Sequence, residues 1–200
     1  MKPILFNTEM VRAIRDGKKT VMRRVVKKLT KRLTTGENAL VLAAAACSPY
    51  QPGDILYVRE TWCDNVDYDL YPFETERFLY RADRTEKELP APEWFYGWRP
   101  SIHMPREAAR IFLRVTDVYL GKLWDIDGAG VLSEGVDNGS SNPKMGKRWE
   151  NMQRMAFSEI WNRTLPPKDR DRYGWDANPW VWVIEFERID KETALRWDKS

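Results

Sequence analysis

A glycine set between a helical pattern and a run of cations fixes how this chain begins. Thr8–Arg15 carries Met10, Val11 and Ile14 on one helical face, with Thr8 as the expected N-cap. Gly17 takes positive φ at no steric cost and so stops a helix. Thr20, Val21 and Met22 then favour an extended chain. The pattern is helix, glycine, basic strand. It gathers Lys18, Lys19, Thr20, Arg23 and Arg24 near a helix C-terminus, where the helix dipole favours cations.

Downstream, period-two alternation predicts strands. Residues 2–6 (KPILF) read as a first strand, with Pro3 at an edge or strand start. Residues 25–48 read as a basic insertion, in which 39–47 fits either a helix or a small-residue arm. After the Pro52-Gly53-Asp54 turn, residues 55–62 alternate. Ile55, Tyr57, Arg59 and Thr61 fall on one side, and Leu56, Val58, Glu60 and Trp62 on the other. That strand is expected to start in a core and end at a wet rim. Further strands are expected at 77–82, at 107–118 with Ile111, Leu113 and Val115 inward, and at 180–189 with Trp180, Trp182, Ile184 and Phe186 on one face. Asp125 is the expected cap of a short helix reaching Glu134. Residues 147–164 form the strongest helical pattern, with Trp149, Met152, Ala156, Phe157, Ile160 and Trp161 on its apolar face. Residues 190–200 read as a frayed tail.

About five strands among a few helices predict an α+β mixed barrel with helices packed outside. One domain is expected over 1–190, with the insertion at 25–48 and a flexible tail at 191–200. Charge is unevenly spread. The segment from Arg12 to Arg32 carries +9, whereas the rest of the chain carries −6. A basic segment on an acidic body attracts phosphates, although a solvated surface has the same composition. Ten tryptophans among 200 residues supply aromatic walls for a core or a groove. Trp98, within a cluster of aromatics, is either part of a satellite core or a surface on which a base stacks.

Cys47 and Cys63 lack metal-ligand spacing, and His103 is the single histidine, which argues against a zinc site or a histidine triad. No metal or cofactor is expected. The chain shows no membrane-spanning run and no signal-peptide core, so a soluble, cytoplasmic, monomeric protein is expected.

Five segments in order resemble one family: KPILF at 2–6, GKKT at 17–20, YQPGDILYVRETW at 50–62, WRPSIHMP at 98–105 and NPWVWVIEF at 178–186. Together they resemble the ASCH domain family, a PUA-like β-barrel group, and in particular its phage and prophage members. The resemblance implies a barrel of about five to six strands and a cleft lined by the GKKT motif. Some ASCH proteins are amidohydrolases that remove an acyl group from N4 of acetylated cytidine. For these it implies a lysine at Lys19, a glutamate matched by Glu134, and a threonine at the position held here by Met22. Thr20 is the nearest remaining hydroxyl. Amide hydrolysis needs an activated nucleophile and a carboxylate that moves protons, so Lys19, Thr20 and Glu134 form the candidate catalytic set. The expected substrate- or nucleic-acid-binding set is Lys18, Arg23, Arg24, Arg59, Glu60, Trp62, Trp98, His103 and Met104. The leading expectation is an RNA- or nucleobase-binding protein. Amide hydrolysis on a modified nucleoside, or RNA cleavage, comes second, and a phage accessory module that binds another protein comes third.

Overall fold

A computed structural model describes residues 1–27, 48–64, 77–84, 97–137, 139, 144 and 146–198. Most of the insertion expected at 25–48 and most of the aromatic cluster around Trp94 lie outside these residues. The strands are β1 (Lys2–Leu5), β2 (Val21–Val25), β3 (Ile55–Arg59), β4 (Trp62–Asp64), β5 (Phe78–Tyr80), β6 (Phe112–Lys122) and β7 (Trp180–Ile189). The α-helices are α1 (Thr8–Arg15), α2 (Gly128–Ser133), α3 (Lys147–Thr164), α4 (Arg170–Tyr173) and α5 (Lys191–Trp197). The class is α+β. A mixed five-stranded sheet has the order β1-β3-β6-β7-β2, and β4 and β5 form a separate pair. β1 runs parallel to β3, while β3–β6 and β7–β2 are antiparallel. Among the described residues β1 and β2 end that order. Among the described residues, no helix is long and apolar enough to cross a membrane.

The chain divides into two compact units. The first comprises Met1–Asp16, Asp54–Arg114 and Arg188–Ser200, and the second Gly17–Gly53 and Val115–Glu187. The first is built around Ile55, Trp62, Tyr80, Met104, Ala108, Phe112 and Ala194. The second is built around Val21, Leu123, Ile126, Val131, Phe157, Trp161, Val181 and Val183.

Several expected details shift. Asn7, one residue before Thr8, caps α1, its side chain accepting the Met10 N–H at 2.8 Å. Asp127, not Asp125, caps α2, accepting the Gly130 N–H at 2.7 Å. α3 has the expected bounds, but its buried seam is Gln153, Phe157 and Trp161, four residues apart, and Met152 is exposed. The strand at 55–62 breaks after Arg59, because Trp62 pairs with Tyr80 instead. Glu60, placed near a wet rim by sequence, is 1% exposed. β7 is buried on both faces from Val181 to Ile184, and β6 and β2 cover its two edges in the sheet order. Residues 191–197, read as tail, are helical. Asp190 caps them by accepting the Thr193 N–H at 2.8 Å, and Ala194 is fully buried.

Candidate functional site

Gly17 sits at φ 71°, the left-handed turn that a helix stop requires, and it delivers Lys19 and Thr20 into the second unit. Lys19 forms an isolated antiparallel bridge with Glu134, the residue that ends α2. Backbone bonds hold this link on both sides. The Thr20 N–H donates to the Ser133 carbonyl at 2.8 Å, and the Phe186 N–H donates to the Thr20 carbonyl at 2.9 Å. A residue near the start of the chain is thereby locked to one 115 positions later.

Lys19 is 3% exposed, and its ammonium points at three oxygens. Nζ donates to Glu134 Oε2 at 2.6 Å, to the Val21 carbonyl at 2.7 Å and to the Glu134 carbonyl at 3.0 Å. The Lys19 cation thus meets the carbonyl end of α2. Glu134 uses its other oxygen, Oε1, to accept from Arg23 Nη1 at 3.0 Å. One carboxylate is therefore clamped between two cations in a largely buried place. Gly130 lies close to Arg23, since a methyl there would stand 3.4 Å from Arg23 Nη2.

Sheet register extends the cluster. Arg23 stands opposite Val183, and Val21 opposite Glu185, so all four share one face. A methyl at Gly121 would lie 3.8 Å from Val183 Cγ2, which puts Gly121 in the same row. Two positions along each strand, Tyr119 on β6 and Glu185 on β7 fall on that face as well. The Tyr119 phenol is 42% exposed. Burial of its ring pushes the phenol up, and the charge of Glu185 and a hydrogen bond with that carboxylate add to this, while Arg23 opposes. Asp117 also raises it. The face thus grades from the apolar row of Val181 and Val183 to a polar end holding Lys19, Arg23, Glu134, Glu185 and Tyr119.

Of the residues expected in this region, Lys19, Arg23 and Glu134 come together. Thr20 and Met22 alternate to the other side of the extended chain from Val21 and Arg23. Met22 is buried at 4% exposure and pairs with Ile184. Arg24 lies over the Tyr50 ring at 5.5 Å, and Lys18 is exposed.

The remaining expected binding residues belong to the first unit, where most of them make internal contacts. Glu60 forms a two-pronged pair with Arg110, Nε to Oε1 and Nη2 to Oε2, both at 2.9 Å. Arg110 also bonds Asp83, which in turn bonds Arg15. Burial alone would pull the Arg110 guanidinium down, but the bonds and charges of Glu60 and Asp83 outweigh it and push it up. The Arg110 guanidinium lies 3.7 Å from the Tyr80 ring centre. Arg59 fastens the following loop by donating to the carbonyls of Met104, at 2.9 Å, and Ile102. Met104 and Trp62 are buried. Trp98 lies 5.7 Å from the Arg81 guanidinium, and His103 is exposed. Cys63 is buried.

Tyr119 and Glu185 were not singled out from sequence. Tyr119 carried no local signal. Glu185 did, as the one carboxylate within the apolar run 180–186.

No family model matches the chain, and no curated protein matches it. Among solved structures it is similar to protein EF3133 from Enterococcus faecalis V583, described under the family DUF984. That similarity spans 91% of this chain and 69% of that chain at 8% identity, with a TM-score of 0.43. A likeness so distant carries no argument about fold or function.

Proposed function

We propose that this is an ASCH-type protein of PUA-like fold, and that its Lys19–Arg23–Glu134 cluster hydrolyses an amide on a modified nucleobase or nucleoside. The observation that carries this reading is the 2.6 Å pair between Lys19 and Glu134. They are the two residues the family resemblance selects for proton and charge handling, and they meet across 115 positions of sequence. Taking three charged side chains out of water costs several kcal/mol per ion before pairing returns any of it. In the proposed reaction Arg23 and Lys19 supply positive charge where the carbonyl oxygen becomes anionic.

A second reading, binding of a nucleoside or RNA without turnover, draws on Met22, which supplies no nucleophile where the resemblance calls for one. N4-acetylcytidine and a small panel of N4-acylated cytosines separate the two, with deacylation followed by chromatography. Turnover that disappears in Lys19→Ala and Glu134→Gln, with both variants folded by circular dichroism, supports hydrolysis. Saturable binding without turnover supports the second reading. Neither binding nor turnover, including with RNA across a salt series, overturns both.

A further inference from the structure

The polar end of the β6–β7–β2 face holds two groups that the Lys19–Arg23–Glu134 cluster leaves unused. Both oxygens of Glu134 already accept from cations, Oε2 from Lys19 and Oε1 from Arg23. Thr20 and Met22 alternate away from the cluster. A hydrolytic site built here therefore needs another group to move protons. Tyr119 and Glu185 share that face on two neighbouring strands, with Arg23 on the next strand diagonal to Glu185. Tyr119 reaches solvent, as a group meeting substrate must.

We propose that Tyr119 and Glu185 are the acid–base pair of this site, with Tyr119 delivering the proton to the leaving nitrogen and Glu185 receiving one from water. The inference rests on the hydrolytic reading of the same cluster. Water attacks the acyl carbon, forming the new C–O bond, and its proton passes to the Glu185 carboxylate. The C–N bond breaks as the Tyr119 hydroxyl gives its proton to the departing nitrogen. Glu185 then returns its proton to the Tyr119 phenolate, and both groups are restored. One water is consumed, and one carboxylic acid and one amine are released. The groups that face Tyr119 set its working range: Glu185 on β7 and Asp117 on β6 keep the phenol protonated, and Arg23 on β2 opposes them. A phenol held up in this way is the acid form throughout the neutral range.

The test is a pH–rate profile on N4-acetylcytidine for the wild type, Tyr119→Phe and Glu185→Gln. Tyr119→Phe removes one half-exposed hydroxyl, so an unchanged circular dichroism spectrum and melting temperature are expected. If the pair acts as described, Tyr119→Phe lowers kcat by about 100-fold with KM within about threefold, and the alkaline limb of the profile disappears. Glu185→Gln also lowers kcat, and it moves the alkaline limb of the remaining activity to lower pH, because a raising charge has been removed. A wild type that turns over, with both variants keeping its rate and profile, overturns the assignment and leaves the hydrolytic reading standing. A wild type with no turnover on the acylated panel overturns that reading, and the acid–base assignment falls with it.

Discussion

Met22 occupies the position where the resemblance calls for a threonine, and its surroundings decide what a threonine would do there. It is buried, pairs with Ile184, and lies on the opposite face of β2 from Arg23. A hydroxyl at that point would face apolar neighbours rather than Glu134. Met22→Thr is therefore expected to gain no deacylase activity and to lose about 2 kcal/mol of stability in urea denaturation, from lost packing and a desolvated hydroxyl. Glu60 makes a second case. The alternation of residues 55–62 already set it on the side of Leu56, Val58 and Trp62, which proved to be the buried side, but no local signal named its partner. Arg110 lies 50 positions away, and only the fold brings it within 2.9 Å. Glu60→Gln breaks a buried two-pronged pair while leaving the arginine in place. The expected loss is about 3 kcal/mol, read by chemical denaturation, whereas Arg163→Ala, which removes an exposed helical pair, costs less than about 0.5 kcal/mol.

Elements whose residues act locally were legible in the sequence, and those set by distant partners were not. α1, α3 and β7 form where the sequence places them, because an amphipathic helix or an apolar strand needs only its own residues to announce itself. The caps were misplaced by one or two residues, since Asn7 and Thr8, or Asp125 and Asp127, are chemically interchangeable until backbone geometry selects one. Asn7→Ala is expected to cost about 1 kcal/mol and Thr8→Ala only a few tenths, which thermal melts of the two variants would separate. The helix at 191–197 was hidden by charge. Its sole apolar anchor in the core is Ala194, yet Asp190 followed three residues later by Thr193 was a readable capping pattern. The packing of α2 on α3 could not be read at all, because it depends on an absent side chain. A methyl at Gly128 would lie 2.3 Å from Trp149 Cζ3, so Gly128→Ala forces the helices apart. About 1–3 kcal/mol of stability should be lost. Because Glu134 ends α2, the Lys19 pair should loosen too, visible as faster exchange of the Thr20 amide, which now donates to Ser133.

At the scale of the whole molecule, charge works differently in the two units, and pH is the variable that separates them. The second unit keeps its carboxylate clamp buried, with Glu134 between Lys19 and Arg23. The first unit ties its chain ends at the surface, where Asp198 accepts from the Met1 ammonium and from Arg106, and Asp190 caps α5. Both aspartates are held below the usual value of 3.8, Asp198 chiefly by the bond from the Met1 ammonium and Asp190 chiefly by the Thr193 backbone N–H. A carboxyl whose folded value is depressed stabilises the fold in full above its unfolded value, and that stabilisation fades as the pH falls through the folded value. Acidification from pH 5 to below 3.8 should therefore release α5 first, seen as rising amide exchange over 191–198 while β7 stays protected. Asp190→Asn and Asp198→Asn together should make α5 exchange less dependent on pH over that range, since the titrating groups are gone. If α5 and β7 lose protection together at every pH in the wild type, the terminal helix is part of one cooperative unit and these surface carboxylates do not govern its release. The α5 helix is the element to watch because it is short, holds one buried anchor and depends on a cap that acid removes, whereas β7 is covered on both faces and owes its place to apolar packing that protons do not change.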